Sequence, residues 1–465
     1  MTKKIGIVIL LFFVVFYIIY GSYVHIPRFE DLRLIGTVGL AQFIFSIYLS
    51  LQNGQKLISP YVIFLIVMYI FQTGQSLMYP FDIISDRDLV GFYGITRASV
   101  FKAQLVSFSF LSFFQIGSLL YKTKEQRKFV DQSQYKKQNK RVIQVGWFLA
   151  IISFYPYYDE LISRALLSMM EGYGALYEGE AKIGMANLQS MLADYFIPAL
   201  ICLFIGYRKS KLKRNIVLAT LLFNSAVILV TGGRTEAVII LALILILQNY
   251  LVKSFTKKGL IVIGAAGMVI LVLLANISKM RSNTSRNIED TFEFQSDDNE
   301  NAIVEAISEM GGTMFCQIWT EEIVSRTGDY RMGTSYAYSF TSVIPNLGFW
   351  KIHPAKEHAN LSSWLTKEKR LSFGTGFSMV AEAYVNFWYF GTLFMALLGY
   401  LATAIFGRLN NAISAGNIAF IAFILVLFWF SLKIPRNSFI GVVRAIFYFA
   451  LPIYWYTRGY IYKHK

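Results

Sequence analysis

Apolar residues in this chain gather into runs of about 17 to 23, parted by shorter polar connections, and a helical run of that length crosses the hydrocarbon core of a bilayer. The pattern predicts spans at residues 5–23, 34–51, 61–79, 100–120, 142–158 and 191–206. It continues with 216–230, 237–252, 260–277, 379–405, 418–432 and 439–456. The predicted fold is therefore an all-α polytopic membrane protein with about twelve transmembrane helices. Lys3 and Lys4 precede the first run as in a signal peptide, but no small-residue cleavage site follows and a second span begins soon after. It reads as a retained anchor.

The polar connections fix the expected orientation, because lysine and arginine concentrate in cytoplasmic loops. Residues 121–141 hold eight Lys/Arg against two acids, residues 208–214 hold five against none, and Lys253, Lys257 and Lys258 form the next cluster. The intervening connections are acidic or neutral, with Asp82, Asp86 and Asp88 in one and Asp159, Glu160, Glu171, Glu178 and Glu180 in another. Both termini are then expected to be cytoplasmic. The longest connection, 278–377, falls outside with ten Lys/Arg and thirteen acids. Within it Ile303, Ala306, Ile307 and Met310 recur at helical spacing, and Leu361, Trp364 and Leu365 make a second apolar stripe. Amphipathic helices that lie as a lid over a membrane cleft would carry such stripes. Three parts follow: nine spans in 1–277, the large extracytoplasmic loop 278–377, and three spans with a tail in 378–465. No internal repeat is visible.

Composition narrows the function. With 55% apolar and 16% aromatic residues the chain is no soluble domain, and its net charge of +16 is explained by loop topology and attraction to anionic lipid. No aromatic-plus-basic module points to nucleic acid. The two cysteines, Cys202 in a span and Cys316 in the long loop, support neither a disulfide framework nor a zinc site.

One charge pattern defies the topology. Arg234, Arg436 and Arg444 stand on the side where basic residues should be scarce, which suggests an anionic ligand. Arg234 follows Thr231, Gly232 and Gly233 and opens a helix. Free N–H groups, two glycines and a guanidinium fork suit a phosphate there, and a tight glycine turn with a snorkelling arginine suits the same residues. Arg436 sits in the acid-free turn 433–437, and Arg444 lies about a turn and a half into the last span. Arg281 lies just beyond a span end. The acids in or at the ends of spans are Asp194, Glu236 and Glu382, each a counter-ion to an arginine or a base toward a substrate hydroxyl. His353 and His358 are spaced by five, off one helical face, with no carboxylate to complete a metal site. They and Arg331 are candidates for glycan contact or acid–base work. Asp86 and Asp88 flank Arg87 in what reads as a solvated loop.

Several stretches together resemble the Wzy-type polymerases of O-antigen and capsular repeat units. They are the turn 231–234, the segment Tyr330-Arg331-Met332-Gly333-Thr334-Ser335-Tyr336 running on to Ile344-Pro345-Asn346, the segment Gly376 to Phe387, and Pro435-Arg436-Asn437-Ser438-Phe439. The chain departs from the pattern after Asn386-Phe387, where the family tends to place glycine and this chain has Trp388, which leaves close helix packing at that point open. The resemblance implies a GT-C-like helical fold in the bacterial cytoplasmic membrane. It also implies a glycosyltransferase without metal or other cofactor, whose site faces outward. Its donor would be a growing glycan on undecaprenyl pyrophosphate and its acceptor a new lipid-linked unit. A chain-length regulator and a flippase are the implied protein partners. Arg234, Arg436 and Arg444 would bind pyrophosphate with Gly232, Gly233 and Arg281, and Glu382 would lead as base. A flippase of the same lipid-linked units and an O-antigen-ligase-like transferase are the competing functions. A flippase is disfavoured by the absence of two similar halves.

Overall fold

The structure is a computed structural model that describes residues 2–90, 94–122, 132–170, 185–230, 234–256, 258–259, 307–308, 310–346, 348–371 and 374–459. Every regular element among them is helical. The first four long helices are α1 (Lys3–Tyr23), α2 (Phe29–Gln52), α3 (Pro60–Met78) and α4 (Arg97–Leu120). Then come α5 (Gln132–Met170), α6 (Met185–Ala193), α7 (Phe196–Tyr207), α8 (Lys211–Val230) and α9 (Arg234–Leu251). Residues of the expected outer loop supply α10 (Met314–Thr327), α11 (Thr334–Ser339) and α12 (Leu361–Glu368). The chain closes with α13 (Met379–Phe387), α14 (Gly391–Phe406), α15 (Ile418–Ser431), α16 (Ile440–Arg444) and α17 (Leu451–Arg458).

Nine helical stretches among the described residues are long and apolar enough to cross a membrane, and they cover nine of the predicted spans. The span expected at 142–158 lies inside α5, an unbroken 39-residue helix whose apolar centre is diluted by Gln144, Trp147 and three tyrosines. The span at 237–252 is the shorter apolar helix Thr235–Leu251. The span at 260–277 lies outside the described residues.

The chain forms two compact units, each discontinuous in sequence. The first comprises Met1–Lys124, Ile307–Arg408 and Phe430–Ala445; the second comprises Glu125–Ala306, Leu409–Trp429 and Ile446–Lys465. In the first unit α1 to α4 are sewn together by a polar seam. Tyr17 donates to Gln42 (2.8 Å), and Gln42 donates to the Tyr69 hydroxyl and the Phe108 carbonyl (2.9 Å each). Tyr61 donates to Gln115, which donates on to Ser50. Where lipid offers no hydrophobic drive between helices, such bonds and close backbone approach hold them together. The close approach is made by glycine. A Cβ on Gly117 would lie 1.7 Å from the Ala396 carbonyl oxygen and one on Gly399 1.8 Å from that of Phe114, so α4 and α14 touch backbone to backbone.

The loop stripe at Leu361 and Leu365 is buried as α12, and α10 buries Cys316, Ile318, Trp319, Ile323 and Val324. Residues 307–371 therefore build much of the first unit's packed interior. In the second unit α5 lies on α7 through Gly146 and Gly206, and a Cβ on Gly206 would meet Ile143 at 2.3 Å. Trp147 donates to Tyr207 and Tyr158 to Asn224 across the same bundle.

Candidate active site

The first unit brings three of the segments singled out from sequence onto one carboxylate. Ser378 caps α13 by accepting from the Ala381 N–H (3.1 Å), and Glu382 sits in the first turn, where a carboxylate suits the helix's positive end. Glu382 is only 2% exposed. Its Oε1 accepts from the Ser335 hydroxyl at 2.9 Å and its Oε2 from the Phe439 N–H at 2.7 Å. Asn386, one turn further on, donates to both the Ser335 hydroxyl and the Glu382 carbonyl at 2.7 Å. One side chain thus ties α13 to α11 and to the turn that carries Arg436.

That turn is pinned twice more. The Phe377 N–H donates to the Arg436 carbonyl (3.0 Å), and Gln72 in α3 donates to the Pro435 carbonyl (2.6 Å) while accepting from the Ser378 hydroxyl. Gly376 makes room for it. With φ at +67° the residue adopts a conformation that favours glycine, and a Cβ there would meet the Arg436 carbonyl oxygen at 3.0 Å and its Cγ at 3.3 Å. Arg436 therefore has a fixed backbone and an exposed side chain. Arg444, at the end of α16, is also exposed, and neither guanidinium makes an ion pair or hydrogen bond among the described residues.

Arg331 belongs to the same unit and has a different character. Its guanidinium donates to the His358 carbonyl (2.9 Å) and lies over the Trp364 ring at 5.0 Å, while its N–H donates to the Val385 carbonyl. Burial lowers its pKa, and the nearby acids Asp329, Glu382 and Glu368 act in the opposite sense. Glu382 and Arg331 thus interact electrostatically within the unit. His353 is committed to structure. Its Nδ1 accepts from the Ala355 N–H (3.1 Å), which leaves Nε2 as the donor to the Ile344 carbonyl (2.9 Å). The His358 ring lies 4.4 Å from that of Tyr338, with Nε2 3.7 Å from a Glu357 oxygen.

Arg234 opens α9 in the second unit, and its side chain, together with Gly232, Gly233 and Arg281, lies outside the described residues. Asp194 and Glu236 belong to that unit as well. In the loop after α3, Asp86 accepts from the Tyr79 hydroxyl, and Asp88 closes a capping box with Ser85.

Over residues 5–465 the chain matches the family described as O-antigen polysaccharide polymerase Wzy. It belongs to that family. No curated protein and no solved structure matches it. Membership makes it a polytopic membrane protein of O-antigen repeat-unit polymerisation, acting by glycosyl transfer on lipid-linked oligosaccharide.

The departure from the Wzy pattern at Trp388 has a structural answer. Its φ is +50°, the region glycine occupies at little cost, and a tryptophan held there stores about 1–3 kcal/mol. The close helix contact is made instead by Gly391, where a Cβ would lie 2.5 Å from the Ala383 carbonyl oxygen. The Trp388 ring is 46% exposed, so its packing against Tyr389 and Tyr330 offsets only part of the strain. Among substitutions, Trp388→Gly should melt at a higher temperature than Trp388→Ile by the equivalent of about 1–2 kcal/mol, because a β-branched residue tolerates positive φ worst. Thermal melts of the two variants in detergent check this.

Several residues that matter here carry no charge and escaped a search for charged groups. Gln72 holds the Arg436 turn directly while Ser335 and Asn386 hold Glu382, and two glutamines, Gln72 and Gln75, inside an apolar run were the available signal. A second omission is Glu321 in α10, which is 3% exposed and lies 2.9 Å from Lys102 of α4. Burial pushes its pKa up to about 7, against the opposing pull of Lys102 and with a small push from Glu322. A carboxyl whose folded pKa exceeds its ordinary value of 4.5 stabilises the fold most at low pH. That stability is lost as pH rises toward the folded value. Between about pH 5 and 7 the melting temperature should therefore fall, and Glu321→Gln should flatten the slope.

Proposed function

We propose that this Wzy-family protein transfers a growing glycan from undecaprenyl pyrophosphate to the non-reducing end of a new lipid-linked repeat unit at the outer face of the cytoplasmic membrane. The observation that carries the reading is Arg436, whose turn is held through the Pro435 and Arg436 carbonyls and lies against Gly376, with its guanidinium left without a partner among the described residues. In this transfer the bond from the anomeric carbon to pyrophosphate breaks, and the leaving oxygen gains negative charge as it departs. A cation already in place stabilises that developing charge more than it stabilises the ground state and costs no reorganisation. Arg436 and Arg444 fill this role with charges the chain itself carries. Arg234, behind Gly232 and Gly233, and Arg281 carry the same chemistry on the sequence argument alone.

Glu382 supports the site by pinning the Arg436 turn through Phe439, and Arg331 braces the same unit through the His358 carbonyl and the Trp364 ring. The acceptor hydroxyl must be held in line with the anomeric carbon, which is worth more to the rate than any single contact. Residues 307–371, folded into the first unit, suit that holding role.

Deleting the gene and sizing the surface glycan tests the assignment. A lost polymerase leaves glycans one repeat unit long. Intermediates trapped in the inner leaflet would indicate a flippase instead, and polymer retained on lipid would indicate a ligase.

A further inference from the structure

The first unit carries a second feature that the transfer reaction needs and the arginine turn does not supply. Between α1, α4 and the start of α14 runs a groove of about 700 Å³. Its polarity is graded. Ser22 and His25 lie at one end, where α1 finishes, and Lys102 lines the same end near the start of α4. Leu105 and Val106 follow next to that end, and towards the other the walls are Val14, Phe110 and Phe113, with the hydroxyls of Tyr17 and Ser109 among them. Contacts along the helices confirm the register, since Gly21 faces Leu105 while Gly6 faces Leu49 and Leu119. The groove is thus cationic at one tip and mostly hydrocarbon-lined along its length.

Its charged tip is also the tip nearest the chemistry. α1 and α3 end, and α4 begins, on one side of the unit, as Arg33 of α2 pairing with Asp82 beyond α3 attests. Gln72, which holds the Arg436 turn, lies in the C-terminal half of α3 on that side. Lys102 is held there from behind. Its ammonium lies 2.9 Å from Glu321 and 3.3 Å from the Ser325 hydroxyl, and of its three N–H donors one remains for a ligand. Gly21 lets α1 and α4 approach closely at this level, for a Cβ there would lie 2.7 Å from the Leu105 side chain, which packs against it as part of the wall.

We propose that this groove seats the polyprenyl chain of a lipid-linked unit, with the phosphate end of that lipid at Lys102. The inference rests on the polymerase reading and deepens it. Transfer between two lipid-linked molecules needs two places for a chain and its diphosphate. The departing diphosphate goes to Arg436 and Arg444, so the groove takes the lipid of the acceptor unit, whose diphosphate bond stays intact. Glu321 is a positioning residue that fixes the Lys102 ammonium.

The test uses the purified full-length protein in detergent and a polyprenyl diphosphate bearing a photoreactive group on its chain. Labelled residues are mapped by mass spectrometry. Label within residues 14–25 and 98–113 is the expected result; label confined to other segments overturns the proposal. Leu105→Trp, which fills the groove, should lower labelling about tenfold. Because that variant can fail to fold, the wild-type map stands on its own, and a second variant probes the tip. The double substitution K102Q/E321Q removes the pair without stranding one charge. It should weaken labelling by the diphosphate and leave labelling by the matching alcohol unchanged. Equal loss with both probes overturns the assignment of the phosphate end. Unlabelled dioleoyl phosphatidylglycerol competing as well as unlabelled polyprenyl diphosphate overturns the choice of occupant. Since the readout is labelling, its failure leaves the deletion phenotype untouched, and a deletion strain with full-length glycan would sink the polymerase reading whatever the label shows.

Discussion

Replacing Arg436 with alanine is expected to leave single repeat units on lipid in place of long polymer, with the protein still folded and present in the membrane. The two halves of that expectation rest on different atoms. The Arg436 carbonyl, which accepts from Phe377, survives the substitution, as does the neighbouring Pro435 carbonyl held by Gln72. The guanidinium is exposed and without a partner among the described residues, so removing it strands no buried charge and costs little stability. What is lost is the donor that the proposed function assigns to the departing diphosphate. Removing one such donor from a preorganised site slows turnover by about 10²–10³. Arg436→Lys keeps the charge and loses the planar fork, so its rate should fall between wild type and alanine. Glycan length profiles from complemented cells, with membrane abundance as the control, read out all three.

The second large effect is at Glu382. Glu382→Ala leaves the Ser335 hydroxyl and the Phe439 N–H without their acceptor in a buried site and detaches the Arg436 turn from α13. The cost should reach about 3–5 kcal/mol, enough to lower abundance and melting temperature sharply. Glu382→Gln is the sharper probe. Its amide oxygen can keep the Phe439 N–H, and its amide nitrogen can donate to Ser335, so the fold is largely retained. A pin tolerates this exchange, whereas a base does not, because an amide takes up no proton. Polymer from Glu382→Gln, at reduced length or rate, is the expected outcome. A folded but inactive protein would assign proton transfer to this carboxylate.

How much of this was legible in the sequence differs by kind of signal. Bilayer-length apolar runs are a one-dimensional property, and nine of the predicted spans reappear as helices apolar enough to cross. The tyrosine-rich centre of α5 shows where the signal weakens, since tyrosine fills a helix interior without registering as strongly apolar. The stripe at Leu361 and Leu365 was readable because helical spacing is local. The convergence on Glu382 was not, because its two donors lie 47 and 57 residues away and nothing in the spacing pairs them. Gln72, more than 300 residues from Pro435, is the extreme case. The histidines illustrate the converse. His353 reads from sequence as a surface residue or a group for glycan contact or acid–base work, and its ring is spent on two backbone groups that shape the loop.

The arginines of the first unit differ in character. Arg436 and Arg444 are exposed, whereas Arg331 in the same unit stacks on Trp364 and serves a carbonyl. The unit therefore separates arginines that build from arginines that wait. Gly376 belongs to the same division, for its missing Cβ is what lets the Arg436 turn lie against the start of α13.

The central claim is that these waiting guanidinium groups hold a diphosphate, and the most direct measurement compares undecaprenyl diphosphate with undecaprenol for binding to the purified protein. The alcohol reports the chain alone, so the ratio of the two affinities isolates the charged end. The account predicts a strong preference for the diphosphate in wild type and a loss of about tenfold or more of that preference in the double variant Arg436→Ala, Arg444→Ala, with its melting temperature unchanged. A double variant that folds normally and keeps the full preference would contradict it.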